Sequence, residues 1–389
     1  MQETSIEFSI FLIFTGAAVI ATAALYARQA MIVAYILLGL LMGPFALGYI
    51  NDAELISDIS KIGIIFLLYL LGLDLLPQQL WSMLREAIEV TLLSSAAFCL
   101  IGFGVGYFFG YELLQALLIG SVMMFSSTII GLKLLPTTTL HHRHTGQIII
   151  SVLLIQDLIA IVILLLLQGY GKGGDIMMSI AAQLLYLPLL VIFSYLLERY
   201  VIIKLIMRFD QIHEYIFLLA IGWCLGIAEL AHFVGLSHEI GAFVAGVTLA
   251  SSPIALFITE RLKPLRDFFL IIFFFSLGAG FNMSVVGEII VPALILATTA
   301  LVLKPLVIGW LLQMEGEKKS VSYETGFRLG QISEFSLLIA VLALESGFIA
   351  AKTSYLIQLA TLLTFVVSSY IIVMRYPTPI SVNSRLRRD

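Results

Sequence analysis

Along most of the chain, apolar residues run for stretches of about 20 positions between short polar breaks, the length an α-helix needs to cross a ~30 Å hydrocarbon core. The alternating ten-residue segments of a membrane barrel are absent. Read from break to break, the pattern predicts thirteen helices, centred near residues 16, 38, 68, 97, 123, 158, 188, 224, 245, 273, 299, 336 and 364. The expected fold class is an all-α polytopic membrane protein. Its first run, about Ile6 to Tyr26, follows Glu3 and no Lys or Arg, so it reads as the first span rather than a cleaved secretory signal.

Composition agrees with a lipid solvent. The chain is 60% hydrophobic and 12% charged with a mean hydropathy of +1.07, against the ~25% charged residues of a soluble domain. The basic residues then test the span count. With the N-terminus outside, only Lys61, Lys172 and Lys352 fall outside and Lys304 lies within a span; the rest of the 21 Lys and Arg, Arg328 among them, fall on the cytoplasmic side. That bias is what the positive-inside rule demands, and one missed helix would scramble it. The C-terminus, a tail over 375–389, is therefore expected in the cytoplasm. Cys99 and Cys224 sit in different apolar segments without metal-type spacing, so neither reads as a ligand or a disulfide partner.

Three pairs of segments echo one another at a common offset of about 206 residues. "YILLGLLMGP" (35–44) resembles "GAFVAGVTLA" (241–250), "IFLLYLLGLDLL" (65–76) resembles "IFFFSLGAGFNM" (272–283), and "FSSTIIG" (125–131) lines up with "QISEFSL" (331–337). Helices one to six and eight to thirteen would then be two six-helix repeats. A unit plus connector of seven helices is odd, so the second repeat enters from the opposite side, an inverted repeat of the kind transporters use.

The polar positions inside these apolar spans are the candidate chemistry. Ser126, Ser127 and Thr128 fall at membrane depth in the fifth span; Gln331, Ser333 and Glu334 fall at the equivalent depth of the twelfth. Such clusters weaken a lipid-facing helix and predict two broken helices that cross and present their ends to a shared site; the alternative is Ser and Thr bonding back to their own helices. The sixth span carries Gln156 and Asp157 near its middle. A charge at the bilayer centre costs at least ~2.5 to 3.5 kcal/mol, so Asp157 must face a cavity or a partner. Burial disfavours the charged form of a carboxylate, which lets protons compete with cations for it, as an exchange carrier requires. Gln156 does not titrate; its oxygen either ligates a cation or bonds one helix to another.

These residues resemble the Kef-type potassium:proton antiporters of the monovalent cation:proton antiporter-2 superfamily. "LLIQD" is similar to their Gln-Asp signature, and "YILLGLLMGP", "LLGLDL", "SSTII", "GLSHEIGAFVAG" (235–246) and "GQISEF" (330–335) are similar to further motifs in the same order. Ile155 stands where Phe is usual and Ile332 where Gly is frequent. The resemblance implies the sodium/proton antiporter fold, a homodimer in the inner membrane, and an elevator-like displacement of a core. It implies a dimerisation part over 1–80 and 212–283, a core over 84–170 and 286–374, and a linker helix over 176–201. It also implies that Lys304 pairs with Asp157; a permanent ion pair with Glu334 stays open beside it, and Glu334 reads either as part of a gating network or as a structural partner. Kef-type chains often continue into a cytoplasmic nucleotide-binding regulatory domain; none follows the last span of this sequence, which is expected to be a short member or a piece of a longer chain.

The expected function is electroneutral K⁺/H⁺ antiport, with Na⁺/H⁺ antiport and a ligand-gated K⁺ efflux channel-like system as alternatives. No enzyme activity, cofactor, resident metal or nucleic-acid partner is expected, beyond the transported ions and surrounding lipid. Asp157 has no second carboxylate at i+3 or i+4, as a hydrolase would need, and "HHRH" (141–144) reads as a solvated loop.

Overall fold

The computed structural model describes residues 6–50, 53–74, 77–135, 144–170, 176–209, 211–250, 252 and 254–378. Among them every regular element is helical, apart from a single bridge residue at Thr378. Six helices are long and apolar enough to cross a membrane by length and composition, and four more are apolar but shorter.

In chain order the helices are α1 (Ile6–Tyr26), α2 (Met31–Met42), α3 (Ala53–Asp74), α4 (Pro77–Phe108), α5 (Leu113–Met123), α6 (Thr128–Lys133), α7 (His144–Tyr170) and α8 (Ile176–Leu197). A π-helical turn, Glu198–Ile202, carries α8 into α9 (Ile203–Arg208), so the expected linker helix runs past residue 201. There follow α10 (His213–Phe233), α11 (His238–Ala250), α12 (Ala255–Ala279), α13 (Val286–Met314), α14 (Lys319–Arg328), α15 (Glu334–Glu345) and α16 (Ala351–Arg375). Pro77 opens α4, where its missing N–H is no loss.

The chain divides into two compact units. The first comprises residues 1–20, 35–80 and 168–281. Its core gathers Ile13, Ala17, Leu38, Ile50, Ile272, Phe275 and Ala279. Small residues let its helices touch backbone to backbone, which is how helices associate where lipid is as apolar as leucine. A Cβ on Gly39 would strike the Phe275 carbonyl, and one on Gly278 the Ile36 carbonyl, so α2 and α12 meet at a glycine from each. Gly246 and Gly72 do the same for α11 and α3.

The second unit comprises residues 21–34, 81–167 and 282–389. Within it α13 packs along α14 and α16. Pro305 in α13 lies against Gly326 of α14, where an added Cβ would meet the Pro305 carbonyl at 2.6 Å. One face of α16 is polar yet buried: Thr353, Ser354, Gln358, Thr361, Thr364, Ser368 and Ser369 all lie inside. Arg328, which the charge pattern placed in a cytoplasmic segment, is the last residue of α14 and fully buried; the bias of a whole loop says nothing about where one of its residues points. His141, His142 and Arg143 of "HHRH" lie outside the described residues, as does the tail beyond Thr378. His144 opens α7, its Nε2 2.6 Å from Glu317 Oε1.

Candidate functional site

Both expected breaks are present, and both lie in the second unit. Between α5 and α6, residues 124–127 leave the helix; between α14 and α15, residues 329–333 do. The hydroxyls that weaken these helices also hold the new backbone shape. Ser127 Oγ accepts from Ile130 N (3.1 Å) at the start of α6, and Ser333 Oγ accepts from Phe335 N (3.1 Å) as the N-cap of α15. The freed groups of each break are satisfied largely by the other. Ser126 Oγ donates to the Leu329 carbonyl (2.8 Å), and Gln331 Nε2 donates to the carbonyls of Ser127 (3.3 Å) and Arg328 (2.9 Å). Backbone at that depth must find partners inside the protein, and here two irregular segments find them in each other.

Three neighbouring helices complete the frame. From α7, Gln156 Oε1 accepts from Ser126 N at 2.9 Å. Of the two roles open to Gln156, the structure shows the helix-tying one: its oxygen is committed to the first break. From α16, Thr364 Oγ1 accepts from Ile332 N (3.1 Å) and Ser368 Oγ donates to Gln331 Oε1 (3.0 Å). From α13, the fully buried Lys304 sends its ammonium to the Phe125 carbonyl (2.6 Å), the Gln331 carbonyl (3.0 Å) and Ser126 Oγ (3.3 Å), 5.4 Å from the centre of the Phe98 ring. One charge thus binds a carbonyl from each break. The expected Lys304–Asp157 ion pair is not formed among the described residues. Two carbonyls left bare by the breaks offer the ammonium hydrogen bonds that a sequence reading, blind to backbone, does not anticipate.

Asp157 stands one residue beyond Gln156 on α7 and is 3% exposed. Its Oδ2 is buried and makes no hydrogen bond among the described residues, and the same is true of Thr128 Oγ1 at the head of α6. Glu334, at the first turn of α15, is buried as well. A buried carboxylate oxygen with no hydrogen bond among the described residues is an arrangement a proton or a cation would relieve. Ser126, Ser127, Gln156, Lys304, Gln331 and Ser333 are brought together by hydrogen bonds around the two breaks, while Asp157 Oδ2 and Thr128 Oγ1 take no part in them. Sequence reasoning missed Phe98, Thr364, Ser368 and Arg328. Hydroxyls at 361, 364, 368 and 369 of an otherwise apolar span were the available signal for α16.

A lysine-tied crossing of two broken helices beside a buried carboxylate is the centre of the second unit, and the whole fold has a solved counterpart. It superposes on the structure of the sodium proton antiporter MjNhaP1 from Methanocaldococcus jannaschii with a TM-score of 0.73, covering 97% of both chains at 16% identity. The family model for the transmembrane sodium/hydrogen exchangers matches residues 10–374, and the chain belongs to that family. Among its relatives, K(+) efflux antiporter 4 of Arabidopsis thaliana is 27% identical over 369 residues, 93% of this chain and 62% of that protein. The iron transporter MagA of Paramagnetospirillum magneticum is 24% identical over 364 residues, 92% of this chain and 84% of that protein. The chain thus spans less than two thirds of the plant relative's length.

Proposed function

We propose that this chain is the membrane domain of a secondary monovalent cation:proton antiporter, exchanging K⁺ for H⁺ with Asp157 alternating between the two. The observation that carries the reading is the buried, donorless Oδ2 of Asp157 beside the crossed breaks. A single carboxylate that holds either ion, but not both, couples their movements. The plant relative's name favours K⁺; the fold of MjNhaP1 keeps Na⁺ as the second reading.

The membrane arrangement belongs to the same proposal: thirteen spans, N-terminus outside and C-terminus in the cytoplasm of the inner membrane, and two inverted repeats. The reciprocal contacts support the repeats. Segment 35–44 touches 272–283 through Gly39 and Gly278, and their echoes 241–250 and 65–76 touch through Gly246 and Gly72, as a two-fold relation requires. In this reading the first unit dimerises with a second copy and the second unit moves as an elevator that carries the loaded site.

The test is a proteoliposome assay in which K⁺, Na⁺, Li⁺ or Rb⁺ gradients drive proton flux reported by a pH dye. Flux driven by K⁺ and lost in Asp157→Asn is expected. Cation conduction without obligatory proton movement would instead mark a channel, and flux unchanged in the variant would remove Asp157 from the site.

A further inference from the structure

Arg328 serves none of the roles above, yet it is among the largest fully buried side chains. An arginine is rarely buried without partners, and this one uses four of its five N–H donors. Nε and Nη2 donate to Glu324 Oε1, one turn back on α14, at 3.0 and 2.9 Å. Nη1 donates to the Leu134 carbonyl (3.0 Å), just past the end of α6. Nη2 also donates to the Pro377 carbonyl (2.8 Å), just past the end of α16. A cation is well placed where helix carbonyls run out of partners, and this guanidinium sits at the ends of three helices together.

The exit of α16 is wrapped onto α14 around that guanidinium. The Tyr376 ring lies 5.7 Å from it, the Arg375 guanidinium lies 4.8 Å from the centre of the Phe327 ring, and Thr378 is fully buried. The other side of Arg328 is the site. Its own carbonyl accepts from Gln331 Nε2, the next carbonyl accepts from Ser126 Oγ, and the Gln331 carbonyl holds Lys304. A displacement of Pro377 therefore reaches the second break through one buried side chain held by four hydrogen bonds.

We propose that Arg328 is a positioning residue that couples the exit segment Arg375–Thr378 to the crossing, so that the seating of this segment sets the affinity of the site for its cation. The kinetic part of this inference rests on the antiport reading; its structural part does not.

Arg328→Gln, Arg328→Lys, Tyr376→Ala and the Arg328→Gln/Tyr376→Ala double variant test it. In proteoliposomes, Arg328→Gln is expected to raise the KM for the cation about tenfold with maximal flux within about twofold. Lysine is not expected to rescue, because one ammonium does not replace a planar fork that spans three acceptors. Tyr376→Ala, which leaves the guanidinium in place, is expected to raise KM about threefold, and the double variant to be no worse than Arg328→Gln. Amide hydrogen exchange at residues 329–332 is expected to rise in Tyr376→Ala while α13 stays as protected as before. An unchanged KM in Tyr376→Ala, native exchange at 329–332, or effects that multiply in the double variant would each overturn the coupling. Should Arg328→Gln not fold, Tyr376→Ala decides alone. A wild type without cation-driven proton flux would defeat the antiport reading, and the exchange measurement would still decide this one.

Discussion

Asp157→Asn should yield a protein that does not transport and yet is harder to unfold. Asparagine keeps the shape of the side chain and removes its charge. An ionised carboxylate at membrane depth costs at least ~2.5 to 3.5 kcal/mol, and the variant is relieved of that. Against this, the amide that replaces Oδ2 meets the same surroundings, in which Oδ2 makes no hydrogen bond, and an unsatisfied neutral polar group costs about 1 to 3 kcal/mol. The balance is a gain of about 1 kcal/mol, which at the sensitivity of larger domains is a rise of about 2 °C in the unfolding midpoint. A thermal melt in detergent at matched pH measures it, beside the flux assay on the same preparation. A melt lowered by several degrees would refute the reasoning, since it would mean that Oδ2 has a donor whose loss outweighs the burial of charge. So would cation-driven proton flux at the wild-type rate.

Three further outcomes follow from the same geometry. Ser333→Ala removes the N-cap of α15 and should cost about 1 kcal/mol in a thermal melt while raising the apparent KM more than it lowers maximal flux; unchanged values for both would mean that the cap is idle. Gly120→Ala pushes a methyl group onto the Cys99 carbonyl and within 3.0 Å of Phe103 N, and should destabilise by about 1 to 3 kcal/mol in the same melt. Exchange should be electroneutral: Lys304 is engaged by carbonyls rather than by Asp157, so a cation arriving at Asp157 displaces one proton and leaves the lysine as it was. A steady current on a solid-supported membrane that scales with turnover and vanishes in Lys304→Gln would assign a second proton to the lysine.

The breaks were legible in the sequence because their cause is local. "SST" and "QISE" place side chains that bond to backbone where nothing else at that depth would, and the structure uses Ser127 and Ser333 in that way. The echoing segments were legible too, and the glycines of the close crossings lie within them, but the crossings themselves emerged only from the structure. The wiring of the site was not. Lys304 was expected to seek a carboxylate because residue letters display side-chain charge, but its partners are carbonyls, which every residue has and no letter distinguishes. Arg328 was hidden for a different reason: the charge bias assigns loops to a side of the membrane and is silent about a single arginine folded back inside. Gln156 sat between two readings that only geometry separates.

The Lys304 ammonium has a consequence for what the transported ion meets. An alkali ion stripped of water would seek the bare carbonyls of Phe125 and Gln331, and both already accept hydrogen bonds from Lys304 Nζ. The lysine is a resident impostor in the seat that backbone oxygens would offer. On the exchange proposed above, the travelling ion would then have the Asp157 carboxylate, the Thr128 hydroxyl and whatever water accompanies it. Such a site would rank ions by how readily they shed water rather than by a rigid fit, and the proposed exchange would then show a shallow preference between potassium and sodium, open to change by small shifts in the frame around it.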